Sequence, residues 1–146
     1  MKDKKDKGYK KYGGLIYKTL QEKIMDKSIK SKWIEALRSG KYRQSINVKK
    51  DGYGFCCLGV LEDIRAKEEG VEWELCKTGI YHISFEGDLR STSSTVVLNN
   101  STAQWSGLGQ QNPEMKVDGE VRTIGSMNDN LNMSFEEIAV LIEQQL

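Results

Sequence analysis

The residues in this chain that could do chemistry are few. There are three cysteines, Cys56, Cys57 and Cys76, and a single histidine, His82. Adjacent cysteines do not follow the C-x-x-C spacing of metal and redox sites. On a helix, neighbouring residues point about 100° apart, so Cys56 and Cys57 would join one metal only with distortion. They read as structural thiols, with no metal. His82 falls in an alternating run with Tyr81 and Ile83 on the opposite face, and nothing in the sequence supplies it with a nucleophile to activate. No G-x-S-x-G string is present, and one histidine excludes H-x-x-x-H and H-E-x-x-H pairs. The adjacent carboxylates Glu62-Asp63, Glu68-Glu69 and Glu136-Glu137 fall on helical stretches and read as solvated surface. The chain is therefore expected not to be an enzyme and to use no cofactor.

Binding chemistry is better represented. Between Lys32 and Gln44 the cations Lys32, Arg38, Lys41 and Arg43 alternate with Trp33 and Tyr42. Rings stack on bases and cations meet phosphates, so this mixture suits a nucleotide. Trp33 shares helical spacing with Ile34 and Leu37 and reads as core, which leaves Tyr42 and Arg43 for a surface site. Gly52-Tyr53-Gly54 lacks the third glycine and the Lys-Ser/Thr of a P-loop. It does place pliable backbone before a helix beginning near Phe55, whose free N–H groups could take an anion beside Lys49 and Lys50. Asn128 could read a base edge, or Asn128-Asp129 could simply turn the chain. The expected ligand set is Arg38, Lys41, Arg43 and Lys50 on phosphates, Tyr42 and Tyr53 on bases, and Asn128 as reader.

Several elements must position these groups. Leu15, Ile16, Leu20 and Ile24 predict a helix over 15–26. A second helix, capped by Ser28 or Ser31, carries Trp33 and Leu37 and stops at Gly40. Residues 42–48 alternate as a half-buried strand, and Lys49-Lys50-Asp51-Gly52 reads as a hairpin turn. Phe55, Leu58, Leu61 and Ile64 predict a helix over 55–67 that ends at Gly70. Strands are expected over 71–75, 80–85 and 95–98, and a short helix over 101–108. Val117-Asp118-Gly119-Glu120-Val121 is a second hairpin signal. Ser134 with Glu137 forms a capping box at the head of the last helix. The fold class is α+β: helices early and late, a mostly antiparallel sheet in the middle, and a capped C-terminal helix.

The 146 residues suit one domain, read as 28–146 behind a basic extension over 1–27. The hydrophobic fraction is 38%, below the roughly 45–50% of an average globular chain. No stretch approaches the roughly 20 apolar residues of a membrane helix. The charged start has no apolar run behind it of the secretory kind, so a reducing cytoplasm and no membrane are expected. Charge is divided: residues 1–50 hold 16 Lys and Arg against 5 Asp and Glu, and residues 51–146 hold 6 against 16. Such blocks favour an anionic partner or the pairing of several copies.

Four strings carry a resemblance. Trp33-x-x-Ala36-Leu37-x-Ser39-Gly40-x-Tyr42-x-Gln44 comes first, then Phe55-Cys56-Cys57-Leu58-Gly59-Val60-Leu61. Met127-Asn128-Asp129 and Ser134-Phe135-x-x-Ile138-Ala139-x-x-Ile142-Glu143 follow. From about residue 32 to the C-terminus the chain resembles a family of small proteins carried by tailed phages, and is similar to phage anti-defence sponges. The resemblance implies a homo-oligomer in the host bacterial cytoplasm. It implies binding of a cyclic nucleotide signal of the anti-phage systems called CBASS, a cyclic dinucleotide such as cyclic GMP-AMP, without hydrolysis. The alternative is a small phage nucleic-acid-binding protein acting through the basic N-terminal half.

Overall fold

Asp26 opens the first helix, α1 (Lys27–Arg38), by accepting the Ile29 N–H at 2.9 Å. The computed structural model describes residues 25–89 and 94–146. The helix expected over 15–26 lies outside them, apart from Met25 and Asp26. Ser28 and Ser31 sit inside α1 and cap nothing, because Asp26 starts the helix earlier. Met25 is already buried, so the packed domain begins before residue 28. Ile29, Trp33 and Leu37 recur every four residues and form the buried face of α1. Gly40, at φ 78°, follows the helix end in the left-handed region.

The chain then runs irregularly to α2 (Cys57–Glu69). The strand expected over 42–48 does not form. Asn47 has φ 73°, which ends any extended run. Its N–H is held by the Asp129 carboxylate at 2.9 Å. Only isolated bridges remain: Phe55 pairs with Gln44 in parallel and with Lys50 in antiparallel fashion. The turn lies slightly later than expected, because the Asp51 carboxylate accepts the Tyr53 and Gly54 N–H groups. Two glycines let this segment cross other backbone. A Cβ on Gly54 would collide with the Arg43 carbonyl, and one on Gly59 with the Lys49 carbonyl. Cys56 caps α2 through its sulfur, and Gly70 at φ 72° ends it.

Nine residues of α2 are buried, including Glu62, Asp63 and Arg65, so the helix is enclosed on more than one side. β1 (Glu74–Leu75) and β2 (Tyr81–His82) make a short antiparallel ribbon joined to Asp51 through Ile80. Residues 95–98 form no strand. The Ser94 hydroxyl accepts the Val96 and Val97 N–H groups and turns the chain into α3 (Asn100–Trp105).

β3 (Glu114–Val117) and β4 (Glu120–Thr123) form a second ribbon across Asp118 (φ 52°) and Gly119 (φ 84°). Two positive φ values are what a two-residue type I′ turn requires. α4 (Ile124–Asp129) and α5 (Phe135–Gln145) follow, and α5 carries the expected capping box of Ser134 and Glu137. The fold is thus α+β. Its antiparallel pairing comes as two separate two-stranded ribbons, while helices build the core.

That core joins Trp33 and Leu37 of α1 to Leu58 and Leu61 of α2, Met127 of α4, and Ile138 and Ile142 of α5. The Trp33 indole N–H donates to the Cys57 carbonyl at 3.0 Å, so this buried ring is fully satisfied. A smaller cluster of Ala66, Ile83 and Phe85 lies beyond α2, with Val71 and Trp73 against it.

Candidate functional site

Phe55 is the crossing point of three backbone segments. Its N–H donates to the Arg43 carbonyl and its carbonyl accepts from Ser45, both at 2.8 Å. Lys50 bridges to Phe55, and the Lys50 carbonyl accepts from the Tyr81 N–H at 3.0 Å. Residues distant in sequence are thereby fixed side by side.

Their side chains make a half-buried aromatic group studded with cations. The Tyr42 ring meets Phe55 edge-on at 5.0 Å. Phe55 in turn meets Trp73 edge-on at 6.0 Å, and both contacts have the geometry that ring quadrupoles favour. The Lys50 ammonium lies 4.5 Å from the Tyr81 centroid. It is 4.9 Å from the Phe55 centroid. From the Trp73 centroid it is 5.8 Å, so all three rings are within cation–π range. Lys67 stands 5.2 Å from the Tyr42 centroid.

Asp63 underlies the group. It accepts from the Tyr42 hydroxyl at 2.6 Å, from Lys67 at 2.7 Å and from the Trp73 indole at 2.9 Å. Burial alone would raise the Asp63 pKa, but these bonds outweigh it and hold the carboxyl below its ordinary value. The Tyr42 phenol is pushed up by burial and then by the carboxylate, so it stays a donor. Lys67 is raised by its bond to Asp63.

The expected site residues separate into three groups. Tyr42 and Lys50 belong to the aromatic group itself. Lys41 and Arg43 flank Tyr42 in sequence, Arg43 is fixed beside Phe55 through its backbone, and the exposed Tyr53 is at the tip of the Asp51–Gly54 turn. Arg38 and Asn128 are committed elsewhere. Arg38 pairs with Glu136 at 3.1 Å and Glu143 at 3.4 Å on α5. Asn128 is only 1% exposed. Its oxygen accepts from Gln44 and from the Cys57 N–H, and its amide nitrogen donates to the Ser45 carbonyl and to Asp129. It lies in α4 rather than a turn, and reading a base would break these bonds.

Two further expectations are overturned. Glu62 and Asp63 are not solvated: Glu62 is fully buried and Asp63 nearly so. Lys49 does not line an anion site at the start of α2. It is fully buried, bonded to Glu62 at 2.8 Å and to the Asn99 side chain at 2.9 Å. Glu62 also accepts the Asn99 N–H at 2.7 Å and the Thr102 hydroxyl at 2.6 Å. Burial lowers the Lys49 pKa, opposed by the neighbouring carboxylate. The N–H groups of Cys57 and Gly59, in the first turn of α2, already have protein acceptors in Asn128 and the Cys56 sulfur, so no anion is needed there.

Cys56 and Cys57 are buried and free, and burial pushes the Cys56 thiol up to about 11. Cys76 is exposed. Among the described residues no cluster of three His, Cys, Asp or Glu side chains could hold a metal ion. Trp105 faces a different cation, the Arg65 guanidinium, which also lies 3.9 Å from the Phe85 ring. Two open hollows lie away from the aromatic group. One, about 560 Å³, runs between Val117, Leu131, Met133 and Leu141; the other, about 500 Å³, lies beside Arg38 between α1 and α5.

Sequence reasoning missed Phe55, Asp63, Lys67, Trp73 and Tyr81. The Asp63–Lys67 spacing of four was the available signal, since it places an acid and a base on one helix face. Nothing local joins Trp73 and Tyr81 to Lys50.

Fold and site define a small α+β domain with an aromatic and cationic surface group and a separate, dry ion pair beneath it. Residues 25–146 match the family model described as Domain of unknown function (DUF8296), and the chain belongs to that family. No curated protein and no solved structure matches. No helix among the described residues is long and apolar enough to cross a membrane.

Proposed function

We propose that this protein binds and sequesters a cyclic nucleotide, a cyclic dinucleotide such as cyclic GMP-AMP, without hydrolysing it. In this reading it acts as a homo-oligomer in the host cytoplasm and keeps an anti-phage signal from its effector. One observation carries the reading. The Lys50 ammonium is held among three aromatic rings, and no carboxylate among the described residues pairs with it. The nearest acid in sequence, Asp51, is turned onto its own backbone. A cation with no counter-ion among the described residues, close in sequence to the exposed Tyr53 and on the Phe55 crossing that also holds the Arg43 backbone, suits phosphates flanked by a base. Lys50, Arg43 and Lys41 would meet phosphates and Tyr53 would stack. Arg38 and Asn128 have no part in it, since their polar groups are already bonded.

Nucleic-acid binding is the second reading, favoured by the charge of residues 1–24, which hold 8 Lys against 3 Asp and Glu. Residues 25–146 hold 14 Lys and Arg against 18 Asp and Glu, a net of −4 that repels a polyanion.

Thermal melting against cyclic di- and trinucleotides, with linear DNA and RNA as controls, separates the two. A ligand at a hundredfold excess over its Kd adds about 2.7 kcal/mol of stability. The expected outcome is a shift with a cyclic nucleotide, return of intact ligand after the protein is heat-denatured, and at least about tenfold weaker binding by Arg43→Glu. A shift only with DNA or RNA, or recovery of cleaved ligand, overturns the proposal.

A further inference from the structure

The β3–β4 ribbon has two edges, and the described residues close only one of them. In a hairpin with a two-residue loop, the residues flanking the turn exchange both backbone hydrogen bonds, and alternate pairs point theirs outward. Here Val117 faces Glu120 across the turn, so the next pair, Lys116 and Val121, directs its N–H and C=O groups away from the ribbon. On the β3 side the Gln145 side chain meets them. Its oxygen accepts the Lys116 N–H at 2.7 Å and its nitrogen donates to the Lys116 carbonyl at 2.8 Å, as a neighbouring strand would. On the β4 side nothing among the described residues meets Val121, which is 58% exposed. An open edge with an apolar residue at its centre is a template for another strand.

The sequence of β4 points to which strand. We propose that β4 pairs antiparallel with β4 of a second copy, about a two-fold axis passing between the two Val121 residues. In that register the outward N–H and C=O of each Val121 bond to those of the other. Glu120 of each copy then stands opposite Arg122 of its partner. An isologous contact must be self-complementary, and Glu120-Val121-Arg122 meets this condition with opposite charges on either side of a central apolar residue. Arg122 and Glu120 already meet at 2.7 Å within one chain, so both charged groups are displayed along the edge. Pairing two copies would convert two ribbons into one four-stranded antiparallel sheet, each outer edge closed by Gln145. This gives the homo-oligomer of the preceding proposal a surface, and it holds whether or not the ligand does.

The test is sedimentation of the full-length chain over a concentration series, without nucleotide. The native chain is expected to dimerise. Glu120→Arg and Arg122→Glu each set like charges opposite one another, twice by symmetry, and are expected to weaken the dimer by about tenfold. The double exchange E120R/R122E restores opposite charges and is expected to recover the dimer to within about threefold. Val121→Pro removes an N–H that has no partner among the described residues, so it should abolish the dimer while leaving the circular dichroism of the monomer unchanged. A native chain that stays monomeric to about 100 µM overturns the proposal. So does a dimer indifferent to Val121→Pro, or a double exchange that behaves no better than its singles. Nucleotide titration of the Val121→Pro monomer is a separate readout, so loss of the dimer and loss of the ligand site remain distinguishable.

Discussion

Glu62 and Asp63 are adjacent in sequence and live in different solvents. Glu62 faces a dry network of Lys49, Asn99 and Thr102, and neither it nor Lys49 touches water. Asp63 faces the aromatic group, where its ammonium partner, Lys67, has a side chain that is 71% exposed. The two lysines at 49 and 50 divide in the same way, the first to the buried carboxylate and the second to the rings. One helical step separates a carboxylate whose ammonium partner is sealed from water from one whose ammonium partner, Lys67, reaches it. A charge without water is costly unless fully paired, whereas a wetted charge can exchange partners.

The largest test of this contrast is Glu62→Ala. It strands a buried ammonium and leaves the Asn99 N–H without its acceptor, so urea unfolding should show a loss of about 3–5 kcal/mol. A loss below about 1 kcal/mol would mean that water reaches Lys49.

Asp63→Asn should cost less, about 1–2 kcal/mol in the same assay, since the amide oxygen keeps one or two of the three bonds. It should also change the pH dependence. The folded Asp63 pKa lies below its unfolded value. Its contribution is therefore present above the ordinary aspartate range near about 3.9 and disappears as pH falls through the lower, folded value. Unfolding measured between about pH 6 and about pH 2 should show a shallower acid loss in the variant. Equal slopes would place the acid sensitivity elsewhere.

The smallest effect belongs to Lys67→Ala, about 0.3–0.5 kcal/mol, further reduced by salt. A salt-independent loss above about 1 kcal/mol would show that the aromatic group is drier than its exposure indicates.

Much of the frame was legible beforehand. The capping box at Ser134, the Asp118-Gly119 turn and the Gly70 stop all follow from local chemistry that acts over a few residues. The α+β class was legible for the same reason. What failed was whatever depends on distant partners. Residues 42–48 alternate as a strand should, yet Asn47 in the left-handed region and Asp129 from α4 override the pattern. Glu62 reads as surface because a carboxylate on a helix usually is. Only the arrival of Lys49 and Asn99, from 13 and 37 residues away, makes its burial tolerable. Of the aromatic group, Tyr42 and Lys50 were singled out beforehand because cations and rings cluster in sequence there. Trp73 and Tyr81 come from the far side of α2, and no spacing rule links them to Lys50. Asn128 misleads because a side-chain amide suits a base edge and a backbone crossing equally well.

The bare face of α2 at Gly59 has an effect that reaches the surface. Because no side chain stands there, the Lys49 carbonyl rests directly on the helix, and the Lys49 side chain is locked below it. Lys50 is the very next residue. Its backbone takes its order from the interior, not from anything it might hold. A molecule arriving at the three rings would find the main chain already immobile, and the entropy of arranging it would have been spent during folding.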